Sequence, residues 1–135
     1  MIKLGLDLHG VIDCNPDFFI SLSELIEKFN GEVHIITGTP WGEAEKVLLS
    51  YNNGKKWWNY FFSIDDYLRN MNIPFEIDKK GGRDFDLDEW NKAKSIYCKE
   101  QGIDLHIDDS VDYGKPFITP YLCVSTLPQK IKKFS

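Results

Sequence analysis

IKLGLDLHG, residues 2–10, decides the fold. Its apolar residues run from Ile2 to Leu8 and then give way to a cluster of polar and glycine residues, the signature of a buried strand entering a functional loop. Downstream, Phe19, Leu22, Ile26 and Phe29 recur at helical spacing within 16–30, after Asn15, with Pro16 at the first helical position and Gly31 at the end. EVHIIT, residues 32–37, predicts a second strand ending at Gly38, and 41–51 predicts a second helix closed by Asn52, Asn53 and Gly54.

Farther along, KKWWNYFFSIDDYLRN (55–70) carries aromatics at helical spacing and predicts one or two short helices. IPFEI (73–77) predicts a third strand, and 78–86 an exposed polar loop. The stretch 88–101 predicts a helix with Trp90, Ala93, Tyr97 and Cys98 on one face and Gly102 as its stop. A strand over 103–107 then runs into Asp108, Asp109 and Ser110, a last strand covers 121–125, and QKIKKF (129–134) predicts a basic surface tail. Strands alternating with helices predict a three-layer α/β/α, Rossmann-like parallel sheet, with its ligand beyond the carboxyl ends of the strands.

The chain has 135 residues, 42% hydrophobic and 27% charged, which predicts one globular domain over 1–135. No run approaches the roughly 18 apolar residues of a membrane helix, and the start lacks a signal-peptide pattern, so the expectation is a soluble, cytoplasmic protein with no membrane partner. Cys14, Cys98 and Cys123 form an odd set without a CxxC pair, which suits neither a disulfide framework nor structural zinc and predicts reduced, mostly buried thiols. A formal charge of −5 argues against broad nucleic-acid binding.

Asp7, Thr37 and the Asp108–Asp109 pair each stand at the carboxyl end of a predicted strand, so three strands aim at one place. Carboxylates gathered there repel one another unless a cation neutralises them. All-oxygen ligation suits Mg²⁺, which shares its shell with phosphate.

With these residues in order, LGLDLHGVID resembles the first motif of the haloacid dehalogenase superfamily, a strand followed by DxDGV or DxDGT. IITG resembles its second motif and LHIDDSVD its fourth; the resemblance spans about residues 2–125. It implies that Asp7 is a nucleophile that forms an aspartyl-phosphate. It further implies that Asp108 binds Mg²⁺, that Asp109 ligates it or orients its waters, and that the backbone carbonyl of His9 completes the shell, with Asp112 giving a DxxxD variant. Thr37 and the Gly38 N–H would hold the phosphoryl oxygens. The family's third motif is a lysine. Of Lys92 and Lys94, Lys94 lies four residues from both Trp90 and Cys98 and therefore faces the protein. His9 stands where phosphatases of this family carry an aspartate as general acid; an imidazole can do the same work. Only one helix fits between Asp13 and Glu32, and only a small insertion fits within 51–90, so a small, capless member with an open site is implied.

Other features have simpler readings. Trp57, Trp58, Tyr60, Phe61 and Phe62 behind Lys55 and Lys56 make a core or dimer surface more readily than a base-stacking platform. Lys79, Lys80, Gly81, Gly82 and Arg83 read as a solvated turn, with steering of a phosphorylated substrate as the sharper alternative. Lys130, Lys132 and Lys133 read as a solvated tail, and Cys14 as packing. The leading expectation is a Mg²⁺-dependent phosphomonoester hydrolase acting on a phosphorylated small molecule or nucleic-acid end. The alternatives are a catalytically weak phosphate- or nucleic-acid-binding module on the same fold and, with less support, a dehalogenase.

Overall fold

The computed structural model describes residues 1–124. In chain order it contains β1 (Lys3–Leu6), α1 (Pro16–Lys28), β2 (Glu32–Thr37), α2 (Trp41–Ser50), β3 (Tyr60–Ser63), α3 (Ile64–Asn70), β4 (Phe75–Ile77), β5 (Arg83–Phe85), α4 (Leu87–Gln101), β6 (Leu105–Asp108), α5 (Val111–Gly114) and β7 (Tyr121–Cys123), with a 3₁₀ turn over Ile12–Cys14. Five strands form one sheet in the order β3-β2-β1-β6-β7, every neighbouring pair of which is parallel. The chain moves outward from β1 to β2 and β3, then returns to β6 on the other side of β1. The order therefore reverses at β1/β6, where the ends of adjacent strands open a crevice.

Alternation of side chains across the strands sorts the core into two layers. Leu4, Leu6, Val33, Ile35 and Ile107 pack with Ile20 of α1 and Ala44 and Leu48 of α2. Ile36 and Phe62 pack on the other face with Leu68 of α3 and Ala93 and Cys98 of α4. The sheet is thus flanked by helices on both faces. Leu6, Ile35, Ile36, Leu48 and Leu68 are fully buried, and each such side chain contributes about 1.5–3 kcal/mol relative to exposure. Helix ends are set locally. Asn15 Oδ1 accepts from the Phe18 N–H, with Pro16 at the first position of α1; Asp86 caps α4 through the Glu89 N–H, and Gly102 ends it at φ 67°.

The structure departs from the sequence expectation in several places. Within 55–70 only 64–70 is helical; 60–63 is β3, an edge strand whose Tyr60 and Phe61 are exposed while Phe62 stacks on Tyr97 at 4.5 Å. Ser63 turns the strand into α3, accepting from the Asp66 N–H at 3.2 Å and donating to the Thr39 carbonyl at 2.8 Å. The strand expected over 73–77 exists as β4 but stays out of the main sheet, pairing antiparallel with β5. The expected loop over 78–86 therefore contains a strand. Cys98 is buried, whereas Cys14 and Cys123 are exposed, against the expectation of mostly buried thiols. β7 ends at Cys123; Ser125 and the basic tail lie outside the described residues. No helix among the described residues is long and apolar enough to cross a membrane.

Candidate active site

β1 ends at Leu6, and Asp7 follows at once, its N–H donating to the Ile107 carbonyl at 3.0 Å, so the chain leaves the sheet with the Asp7 side chain over the switch point. Asp108 is the last residue of β6, on the other side of the crevice. Lys94, on the α4 face that carries Ala93 and Cys98, is completely buried and bridges the two: its Nζ donates to Asp7 Oδ1 at 3.0 Å and to Asp108 Oδ2 at 2.7 Å. The Tyr113 ring lies over the ammonium at 4.5 Å. Lys92 faces outward, paired with Glu89 at 3.0 Å. The helical period thus separates the two lysines in space as it does in sequence.

Asp108 is saturated with donors. Its Oδ2 also receives His106 Nε2 at 2.8 Å, and its Oδ1 receives the N–H groups of Asp109 at 2.8 Å and Ser110 at 3.2 Å. Burial pushes its carboxyl up, but His106 and Lys94 outweigh this and hold it far below the ordinary carboxylate range. Asp7 goes the other way. Burial pushes it up to about 8; Lys94 opposes this and Asp108 adds to it. On Lys94, burial works against the ammonium and is outweighed by Asp7 and Asp108, so it stays charged. Asp109 is raised by burial and by Asp108. Burial holds His106 toward the neutral form, and its Nδ1 is buried without a hydrogen-bond partner among the described residues.

One oxygen each from Asp7, Asp108 and Asp109 can be chosen so that all lie within 4.8 Å of one another. Among the described residues the three carboxylates share one ammonium, and burial works against the charge on Asp7. An all-oxygen set with unneutralised charge fits Mg²⁺. Gly10 belongs to this arrangement: it sits at φ 84°, and a Cβ there would lie 2.0 Å from Asp109 Oδ2. Only glycine lets the loop after Asp7 approach Asp109 so closely.

Thr37 ends β2, buried, and its Oγ1 accepts from the Thr39 N–H at 3.2 Å. Asp7, Thr37, Gly38, Lys94, Asp109 and the imidazole-bearing His9 all line a cavity of ≈ 490 Å³. The His9 side chain is 62% exposed, with Nδ1 3.4 Å from Asp13 Oδ2 rather than against Asp7. Asp112 is not brought in; it is exposed and paired with Lys115 at 3.1 Å. Several lining residues were not assigned to the site from the sequence. Trp90 closes in on Gly38, where a Cβ would meet its ring at 2.8 Å, and its indole N–H donates to the Tyr113 hydroxyl at 2.6 Å. Asp65 and Arg83 line the cavity as an ion pair at 2.9 Å. Trp90 carried a signal, since it shares the face of α4 that holds Lys94; Arg83 carried one in the basic run Lys79–Arg83, whose sharper alternative was steering of a phosphorylated substrate, but its position depends on the β4–β5 hairpin.

No protein-family model matches this chain, and neither a curated protein nor a solved structure matches it.

Proposed function

We propose that the protein is a Mg²⁺-dependent phosphomonoester hydrolase of the haloacid-dehalogenase type, with Asp7 as nucleophile. The observation that carries this reading is the Lys94 ammonium bridging Asp7 and Asp108 beside Asp109, inside a cavity that Thr37 also lines. Mg²⁺, held by Asp7 and Asp109 together with the His9 carbonyl, and by Asp108 once it gives up one of its four donors, would neutralise phosphoryl oxygens as a Lewis acid.

The protein's own groups divide the rest of the work. Thr37 Oγ and the Gly38 N–H hold the phosphoryl oxygens, and Lys94 draws both Asp7 and phosphate into one place. The Asp7 carboxylate attacks phosphorus as the bond to the leaving oxygen breaks, giving an aspartyl-phosphate. The leaving alkoxide takes a proton from His9, whose neutral imidazole then removes one from a water; that water attacks phosphorus and restores Asp7. For this step His9 must swing from Asp13 toward the cavity. Asp108, saturated by four donors, fixes Lys94 and the chain around Asp109.

The test is phosphate release from an aryl phosphate with and without Mg²⁺, by wild type and Asp7→Asn. Mg²⁺-dependent release that falls about 10³-fold or more in the variant is expected. Full activity in Asp7→Asn, or activity indifferent to Mg²⁺, would sink the reading. The binding-module alternative predicts Mg²⁺-dependent phosphate binding with no turnover, and His9→Asp is then the variant expected to gain activity.

A further inference from the structure

The cavity that holds Asp7 and Lys94 is also lined by Gly81, Gly82 and Arg83 of the β4–β5 hairpin. We infer that Arg83 is an anion-binding residue of this cavity, and that the substrate is a compact phosphate monoester carrying a second acidic group, which Arg83 grips while the reacting phosphoryl group lies at Asp7. This rests on the phosphatase reading above and names its substrate class.

The hairpin loop is organised by itself rather than by a core. Asp78 Oδ1 accepts from the N–H groups of Lys80 and Gly82, both at 2.8 Å, and the Asp78 N–H donates to the Gly82 carbonyl at 2.8 Å. Gly81 takes φ 81°, where a side chain is strained. The loop therefore turns bare backbone toward the cavity and leaves room beside Arg83.

Arg83 itself is held on one side only. Its guanidinium carbon lies 5.5 Å from the centre of the Phe75 ring, and Nη1 donates to Asp65 Oδ1 at 2.9 Å. Its other N–H groups make no hydrogen bond among the described residues, and the side chain is 32% exposed. Asp65 does not depend on Arg83. The same Oδ1 accepts from Arg69 Nε at 2.9 Å, so the carboxylate keeps a cation when Arg83 turns to a ligand. A planar fork with free donors, beside an aromatic ring and lining a cavity, suits a carboxylate or phosphate gripped by two N–H groups.

The chemistry of the cavity also favours a small ligand over a nucleic-acid end. Its ≈ 490 Å³ is in the range of small-molecule sites. Glu43 and Asp109 share the lining, and the chain carries −5, so a polyanion continuing out of the cavity meets like charge.

The experiment compares kcat and KM for three matched compounds, glycerol 3-phosphate, 3-phosphoglycerate and propane-1,3-diol bisphosphate, together with a dinucleotide 3′-phosphate, in wild type, Arg83→Gln and Arg83→Lys, each checked for an intact thermal transition. Wild type is expected to prefer a diacid over glycerol 3-phosphate by about 10- to 100-fold in kcat/KM, through KM. Arg83→Gln should bring that ratio to about one, with Arg83→Lys in between. The carboxylate and bisphosphate arms tell which acid is recognised. An unchanged ratio in Arg83→Gln, or a dinucleotide preferred by wild type and Arg83→Gln alike, overturns the inference. Calorimetric binding of the same compounds to Asp7→Asn, and to Asp7→Asn combined with Arg83→Gln, separates the two readings. An Arg83-dependent preference in binding without wild-type turnover removes the phosphatase and keeps the anion site; turnover with equal binding of monoacid and diacid removes the anion site and keeps the phosphatase.

Discussion

Two charge clusters border the same cavity, and they differ in whether their charges close. In the first, Asp65 and Asp66 meet Arg69 and Arg83: Arg69 spans both carboxylates, at 2.9 and 2.5 Å, and Arg83 adds a contact to Asp65 at 2.9 Å. Two acids face two guanidinium groups that are about a third exposed. In the second, Asp7, Asp108 and Asp109 face only Lys94 among the described residues, while burial holds His106 toward neutrality. A closed set can stand as structure. An open set, buried at its centre, could hold a cation; burial, with Asp108 adding to it, pushes Asp7 up to about 8.

The comparison breaks most sharply at Lys94. Removing one partner of a buried ion pair costs about 3–5 kcal/mol because the other charge is left in a low dielectric. Asp7 can relieve part of that strain by taking a proton, so Lys94→Met should cost about 3 kcal/mol in urea unfolding without Mg²⁺. A loss below about 1 kcal/mol would mean that Lys94 does not organise the cluster. The next effect tests directly whether the open set binds a cation. A ligand that binds only the folded state at about 100 times its Kd adds about 2.7 kcal/mol. Mg²⁺ should therefore raise the melting temperature of wild type, and Asp109→Asn, which leaves the donors to Asp108 in place, should lose most of the gain. Equal gains in both proteins would place the cation elsewhere. In the closed cluster the stakes are lower, since both arginines are about a third exposed and Asp65→Asn would leave Arg69 paired with Asp66. Asp65→Asn should cost about 1 kcal/mol and respond little to Mg²⁺; a Mg²⁺-dependent change there would join the two clusters into one site.

The open cluster was more legible in the sequence than the closed one. Asp7, Thr37 and Asp108 each follow a β-branched or apolar run, and in a parallel sheet such run ends converge without knowledge of any contact. Lys94 could be picked from Lys92 because helical period fixes which way a side chain faces. The closed cluster needed facts that lie beyond local pattern. Tyr60 to Ser63 is an edge strand with two exposed aromatics, so its alternation is blurred and its aromatics fall at helical spacing as well. Arg83 to Phe85 is a three-residue strand inside a polar stretch, too short to stand out. Without those two strands, neither Asp65 nor Arg83 can be placed, and the balanced half of the cavity wall stays invisible. Gly10 is intermediate: it stands within DLHGVI, but its reason, the Asp109 carboxylate where its Cβ would lie, is tertiary.

The same contrast of closed and open recurs on a smaller scale inside the sheet. Gly5 of β1 is in register with His34 on one side and His106 on the other. His34 is satisfied at both nitrogens, by the Tyr97 hydroxyl at 2.7 Å and Glu32 Oε1 at 3.0 Å, whereas His106 binds Asp108 and its Nδ1 has no partner among the described residues. For His34, burial lowers the pKa from 6.5 and outweighs Glu32, which raises it. The unfolded chain then takes up a proton below pH 6.5 that the folded protein refuses, so this contribution to stability is complete above that value and is lost as pH falls below it. Asp7 slopes in the opposite direction, because its folded value lies above its unfolded one and its contribution is lost as pH rises. A raw pH profile mixes the two. The difference between wild type and His34→Gln leaves Asp7 and His106 common to both proteins, and the stability of wild type relative to the variant should decline between about pH 7.5 and about pH 5.5. A difference that stays flat, or grows toward acid, would mean that Glu32 wins over burial and that His34 is carried as a cation within the sheet.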